Sequence, residues 1–209
     1  MPELLTPTIA QQAIGEVFAP LLVGMEVVRP YRWARALSDE HWAMLRIQGW
    51  KGGDYSVEYA VSCGWVPHRQ GGTWRRHRTL KQARPDLWVD RFTPGGPPQA
   101  TITSLGGLAR LRRDAEAALA DVTRHAAPWW RSVDSVEGVL RAARNQSGST
   151  DVQHAPSPEF VAACTLIRLG DLGDAWQLIA AEVDDAADMD ALMRLLRTDG
   201  SSGGTVTRA

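Results

Sequence analysis

Cysteine is nearly absent from this chain. Cys63 and Cys164 are the only two, far apart and in no CxxC or Cys/His ligand spacing, which argues against a disulfide framework and a zinc site. Both are expected to be buried as small hydrophobes. Long apolar runs are missing as well. No positively charged start leads into an apolar stretch, and no run of about 18 apolar residues occurs, so neither a signal peptide nor a membrane span is expected. The chain is placed in the cytoplasm, with no membrane partner. Lysine is scarce too: of 23 basic residues only Lys51 and Lys81 are not arginine, a skew that GC-rich bacterial coding produces without selection for function.

Catalytic signatures are equally thin. There is no GxSxG elbow, dinucleotide fingerprint or paired-carboxylate motif. The five histidines, His41, His68, His77, His125 and His154, form no HxxxH or HxH pair, so no metal ligand set and no cofactor is expected. The acidic run at residues 184–190, DDAADMD, lacks the glycine and final glutamate of a calcium loop. It suits the first turn of a helix, where negative charge complements the dipole. An enzyme would have to assemble its site from scattered residues, with Cys63 and His68 as the pair to test.

What is present is enough apolar material for a core: 209 residues, 44% hydrophobic. Length alone suggests one large domain or one with an appendage. The net charge of −1 conceals a polarity, because residues 29–113 carry 15 basic and 6 acidic groups and residues 151–209 carry 4 and 10.

Apolar positions Ile9, Ala13, Ile14, Val17, Phe18 and Leu21 share one helical face, predicting a helix that opens at Thr6-Pro7 and that Pro20 can end early. The period then changes to two. Tyr31 and Trp33, then Ala43, Leu45 and Ile47, then Tyr55 to Cys63 read as a three-stranded meander. Between the last two strands, Lys51-Gly52-Gly53-Asp54 has a glycine pair beside a lysine as a phosphate loop does, but a strand follows the glycines instead of a helix. A hairpin turn is the reading adopted.

Residues 64–98 are loop-rich, with one strand expected at Leu87 to Phe92, and TPGGPP at 93–98 serves as a connection. Helices follow. Ser104 is expected to cap one carrying Leu105, Leu108, Leu111, Ala115, Leu119 and Val122 that stops before Pro128, and Asp134 with Glu137 to open a short one through Ala143. Three more are expected after Ser157-Pro158. The fold class is therefore α+β: an antiparallel sheet of three to five strands covered by helices, followed by a small C-terminal helical unit. The expected organisation is an α+β domain at 1–145, a linker at 146–156, an acidic helical hairpin or three-helix unit at 157–199, and a disordered tail at 200–209. The sheet face holding Ser56, Glu58 and Ala60 should meet either water or the C-terminal helices.

Arg32-Trp33, Gln48 and the stretch Val61-Ser62-Cys63-Gly64, following an amphipathic helix, resemble an uncharacterised bacterial family, domain of unknown function 4304. The likeness covers roughly residues 9–143. Members often carry asparagine before an aliphatic and a glycine, where this chain has Ser62-Cys63-Gly64. The resemblance implies an α+β fold, no established reaction and no catalytic residues, and for some relatives a setting of bacterial immunity proteins, hence a binding role. Separately, CTLIRLGDLGDAWQLIAAEV resembles a tetratricopeptide-type turn, with Gly170-Asp171 at the bend and Ala175 at a close helix contact. With no second copy it is read as a helical hairpin.

The most distinctive chemistry lies in residues 65–91. Trp65, Trp74 and Trp88 are interleaved with His68, Arg69, Arg75, Arg76, Arg78 and Arg84. Arginine and tryptophan together can grip phosphate and stack bases, or form the hot spot of a protein interface. They can also pair with the acidic C-terminal helices of the same chain. The functional expectation is a non-enzymatic protein-binding module of immunity or regulatory type, with nucleic acid as the alternative partner.

Overall fold

The computed structural model describes residues 4–77, 79–89, 101–147, 156–183 and 185–197. Helix α1, Pro7–Phe18, starts where expected: Thr6 accepts the Ile9 N–H on its hydroxyl and Pro7 supplies the first turn. A 3-10 turn, Ala19–Leu22, then absorbs Pro20.

Strands β1 (Glu26–Arg29), β2 (Arg32–Ser38), β3 (His41–Gly49) and β4 (Asp54–Cys63) follow in an antiparallel meander. The expected three strands are β2 to β4. The β3–β4 turn is a hairpin, with Gly52 and Gly53 at φ of +92° and +85°, a backbone that only glycine adopts without strain. A two-stranded hairpin, β5 (His68–Gln70) with β6 (Thr73–Arg75), comes next. After a 3-10 turn at Leu80–Gln82, β7 (Leu87–Val89) returns to pair with β4. The expected strand thus starts at Leu87, and its Phe92 end lies outside the described residues. The main sheet runs β1-β2-β3-β4-β7, with the two-residue β8 (Ile102–Thr103) also on β4.

Helix α2 spans Gly107–Ser132, α3 Val136–Gln146, α4 Pro158–Arg168, α5 Ala175–Glu182 and α6 Ala186–Arg197. Three details differ from expectation. Ser104 is buried and bonds the β3–β4 turn through Gly53 O, leaving Gly106 at the start of α2. Ser135, not Asp134, caps α3 by accepting the Gly138 N–H. And α2 runs through Pro128. An interior proline costs about 3 kcal/mol, but the tryptophan two residues later offsets it: Trp130 is 2% exposed and donates to Ala60 O at 3.0 Å. Leu105 and Leu108 stay exposed, and Leu111, Ala115, Ala118, Val122 and Ala126 form the buried stripe.

One core cluster joins α1 and α2 to the face of β3 and β4 holding Leu45, Val57 and Tyr59. A second joins the far end of that face, Val61, Cys63, Trp65 and Val66, to α3, α4, α5 and α6. The C-terminal helices therefore share a core with the sheet. The opposite face is closed neither by water nor by those helices. Leu80, Ala83 and Trp88 cover it, and Glu58, 3% exposed, pairs there with Arg46, whose guanidinium lies 4.6 Å from the Trp88 ring centre. The α4–α5 bend is a Schellman closure, Asp171 N–H to Leu166 O and Gly170 N–H to Ile167 O, as the helical-hairpin reading requires. Residues 148–155 of the linker and the tail from 198 lie outside the described residues.

Candidate functional site

The end of β4 collects the polar chemistry of the molecule. Asp86 sits just before β7, drawn there by its N–H bond to Val61 O. Its side chain is fully buried, and Oδ2 accepts the Cys63 N–H at 2.6 Å. His68 opens β5, and its Nε2 donates to Asp86 Oδ1 at 2.7 Å. The β5–β6 turn, with Gly71 and Gly72 both at positive φ, folds the chain back so that His77 meets the same carboxylate, Nε2 lying 3.7 Å from Oδ2. The two imidazole centres are 4.7 Å apart. Burial by itself would raise the Asp86 carboxyl, but the His68 and His77 imidazoles hold it below its ordinary value.

Ser62 Oγ lies 3.0 Å from His77 Nε2 and accepts the Arg84 N–H. These residues are the types of a hydrolytic triad without its geometry. The acid and the hydroxyl share one ring nitrogen, whereas relay of a proton needs them on opposite nitrogens, and Ser62 is wholly buried. Cys63 offers its backbone, not its thiol. Burial, with Asp86 adding, pushes the Cys63 and Cys164 thiols well up, so neither is poised as a nucleophile.

Nearby, a cavity of about 330 Å³ opens between this region and the C-terminal helices. Trp65, Trp176 and Ile167 give it apolar walls, and Arg76, Arg168 and Arg197 bring three guanidinium groups to it. Arg168 also reaches Glu40 at 2.6 Å in a half-exposed pair, the kind worth about 0–1 kcal/mol.

Of the residues singled out in the sequence, Trp65 and Arg76 meet at this cavity. Trp65 is 3% exposed and donates to Thr165 Oγ1. Trp74 stacks on Phe160 at 5.5 Å, and Arg69 pairs with Asp188 at 2.5 Å. The hairpin thus docks onto the acidic helices. Arg75 points to solvent, Arg84 and His68 border a separate cleft, Trp88 lies under Arg46, and Arg78 lies outside the described residues. Asp86 was not singled out in the sequence, and Ser62 only as part of the Ser62-Cys63-Gly64 resemblance. The one available signal was an aspartate set between Pro85 and the apolar run Leu87-Trp88-Val89, where a charge should be rare unless partnered.

His41, at the start of β3, is 3% exposed, bonded through Nδ1 to Ser38 Oγ and edge-on to Trp65 at 4.4 Å. Burial lowers its imidazole to about 4, with Asp134 and Asp86 opposing and Arg168 assisting. The unfolded chain, titrating at the ordinary value near 6.5, binds the extra proton between those limits, so stability falls as pH drops from 6.5 to 4. A loss of about 3 kcal/mol is expected from this group. In urea titrations at pH 7 and 4.5, His41→Phe should lose correspondingly less stability than the parent, and equal losses would refute the assignment.

Among the described residues no helix is long and apolar enough to cross a membrane. Comparison with protein-family models, curated proteins and solved structures gave no match.

Proposed function

We propose that the protein is a non-enzymatic binding module of immunity or regulatory type, whose partner is a protein that inserts an apolar side chain flanked by carboxylates into the cavity beside Trp65 and Trp176. The observation that carries this reading is the cavity itself. Its volume falls in the range of ligand sites, apolar walls are joined by a few polar groups, and Arg76, Arg168 and Arg197 are complementary to an acidic segment. Guanidinium forks grip carboxylates in two-point contacts, and the weak Arg168–Glu40 pair can yield to a better one. The pattern-level resemblance to an uncharacterised family, some of whose relatives sit among bacterial immunity proteins, is in keeping with the same class. Nucleic acid is the weaker reading, because stacking needs free aromatic faces, while Trp65 is buried and Trp74 covers Phe160.

The test is capture of the tagged protein from its host, with and without nuclease, alongside Arg168→Glu, Arg76→Glu and, outside the cavity, Arg75→Glu. One stoichiometric, nuclease-resistant protein is expected, bound at least tenfold more weakly by the two cavity variants and unchanged by Arg75→Glu. Capture indifferent to the cavity variants at unchanged melting temperature, or a nuclease-sensitive eluate, would overturn the reading.

A further inference from the structure

We infer that His68, His77 and Asp86 form a binding site for one divalent first-row transition-metal ion, zinc being the best match to the donors. Spacing in the chain is regular, nine residues from each to the next, and matches no metal motif. The fold is what brings them together. One ligand atom from each, two imidazole nitrogens and a carboxylate oxygen, lie within 4.8 Å of one another. Ligands held 2.0–2.2 Å from a tetrahedral zinc are about 3.4 Å apart, and the two separations from Asp86 oxygens, 2.7 Å and 3.7 Å, straddle that value.

A purely structural ion pair explains less of this arrangement. A buried carboxylate needs hydrogen-bond donors, and His68 Nε2 with the Cys63 N–H already supplies one to each oxygen. Here a second imidazole approaches the same carboxylate through the same ring atom, Nε2, with its ring centre 4.7 Å from the first. With a metal ion bound, both rings are neutral and both lone pairs are used. The donor set favours zinc and its neighbours over calcium or magnesium, which prefer all-oxygen shells.

The surroundings fit as well. The Cys63 N–H fixes Asp86 from behind, as outer partners orient ligating carboxylates. His68 also lines a cleft of about 350 Å³ with Arg69, Trp74 and Arg84, through which an ion reaches the site. Three protein ligands leave a fourth position for water or for a donor from a partner. Ser62 Oγ, now beside His77 Nε2, keeps its bond from the Arg84 N–H when the ion takes its place. An ion held here ties the β5–β6 hairpin and the 79–86 loop to the end of β4, so metal binding stabilises the folded chain.

The experiment is titration of the full chain, stripped with chelator, with zinc(II) by calorimetry and with cobalt(II) by visible absorption, magnesium(II) serving as the control. One equivalent of zinc should bind and raise the melting temperature, magnesium should do neither, and cobalt should develop the visible bands of a low-coordinate nitrogen-ligated site. His68→Gln and His77→Gln should each weaken zinc at least tenfold. Independently of any variant, nitrogen-15 spectra of the parent should show the Nε2 resonances of two histidines moving with zinc. No saturable zinc binding, zinc affinity unchanged in both variants, or unmoved histidine resonances would each overturn the site.

Discussion

A chain ended at residue 150 is expected to aggregate instead of folding. Removing α4 to α6 uncovers Val61, Cys63, Trp65, Val66 and Leu87, all 3% exposed or less in the intact protein. Full exposure of such side chains costs about 2 kcal/mol each, on the order of 10 kcal/mol together, comparable with the whole net stability of a typical domain. Trp65 would also lose Thr165 as the acceptor for its indole N–H. The readouts are the soluble fraction on expression and cooperativity of urea unfolding. A soluble fragment with a sharp transition would show that the sheet and its first two helices fold without the C-terminal unit, making the shared cluster an interface between domains.

Trp130→Ala is expected to destabilise the protein by about 3–5 kcal/mol. The ring is buried in the first core cluster, meets Tyr59 edge-on at 6.2 Å and lies 5.4 Å from the Arg35 guanidinium carbon. Its N–H is the donor to Ala60 O, so truncation both opens a cavity and removes a buried hydrogen bond. The same residue holds the last turn of α2 beyond Pro128, and the variant should also lose helix signal there. Trp129, half-buried beside it, serves as the control at about 1–2 kcal/mol. Equal losses at the two positions, measured by chemical denaturation, would mean that α2 is not anchored through Trp130.

Much of the sheet could be read without the structure because a strand's two faces alternate strictly. Tyr55, Val57, Tyr59, Val61 and Cys63 had to share one side of β4. That alternation says which residues share a face but not what covers it. The face of Ser56, Glu58 and Ala60 was expected to meet water or the C-terminal helices, yet all three are buried without either: Ala60 clusters with Leu80, Ala83 and Trp88, Glu58 is held by Arg46 and Ser56 by the Trp50 indole. β1 escaped notice because its four residues are mostly exposed and carry no alternation to detect. In α2, local rules stop a helix at proline, and the burial of Trp130 two residues later overrides them.

The candidate sites divide the same way. Arginine and tryptophan in residues 65–91 were conspicuous by composition, and Trp65 and Arg76 do meet at the cavity. Most of its wall, including Arg168, Trp176 and Arg197, comes from the C-terminal helices about a hundred residues further on, and no local pattern joins the two. His68 stood out as a neighbour of Cys63 and as a member of the arginine- and tryptophan-rich stretch, never as half of a histidine pair. Its actual partners, His77 and Asp86, meet it because two glycines reverse the chain and because Asp86 hydrogen-bonds to β4.

By itself the sequence determined the class of fold, the strands of the meander, the hairpin at Gly52-Gly53, the helix starts at Thr6 and Ser157, and the burial of both cysteines. Each follows from short-range sterics or from periodicity in burial, which neighbouring residues encode. Only the tertiary structure decided that the C-terminal helices share the sheet's core, that three arginines surround one cavity, and that two imidazoles converge on one carboxylate. Those outcomes depend on contacts between distant segments, whose free energy comes from burying surfaces that must first be brought together.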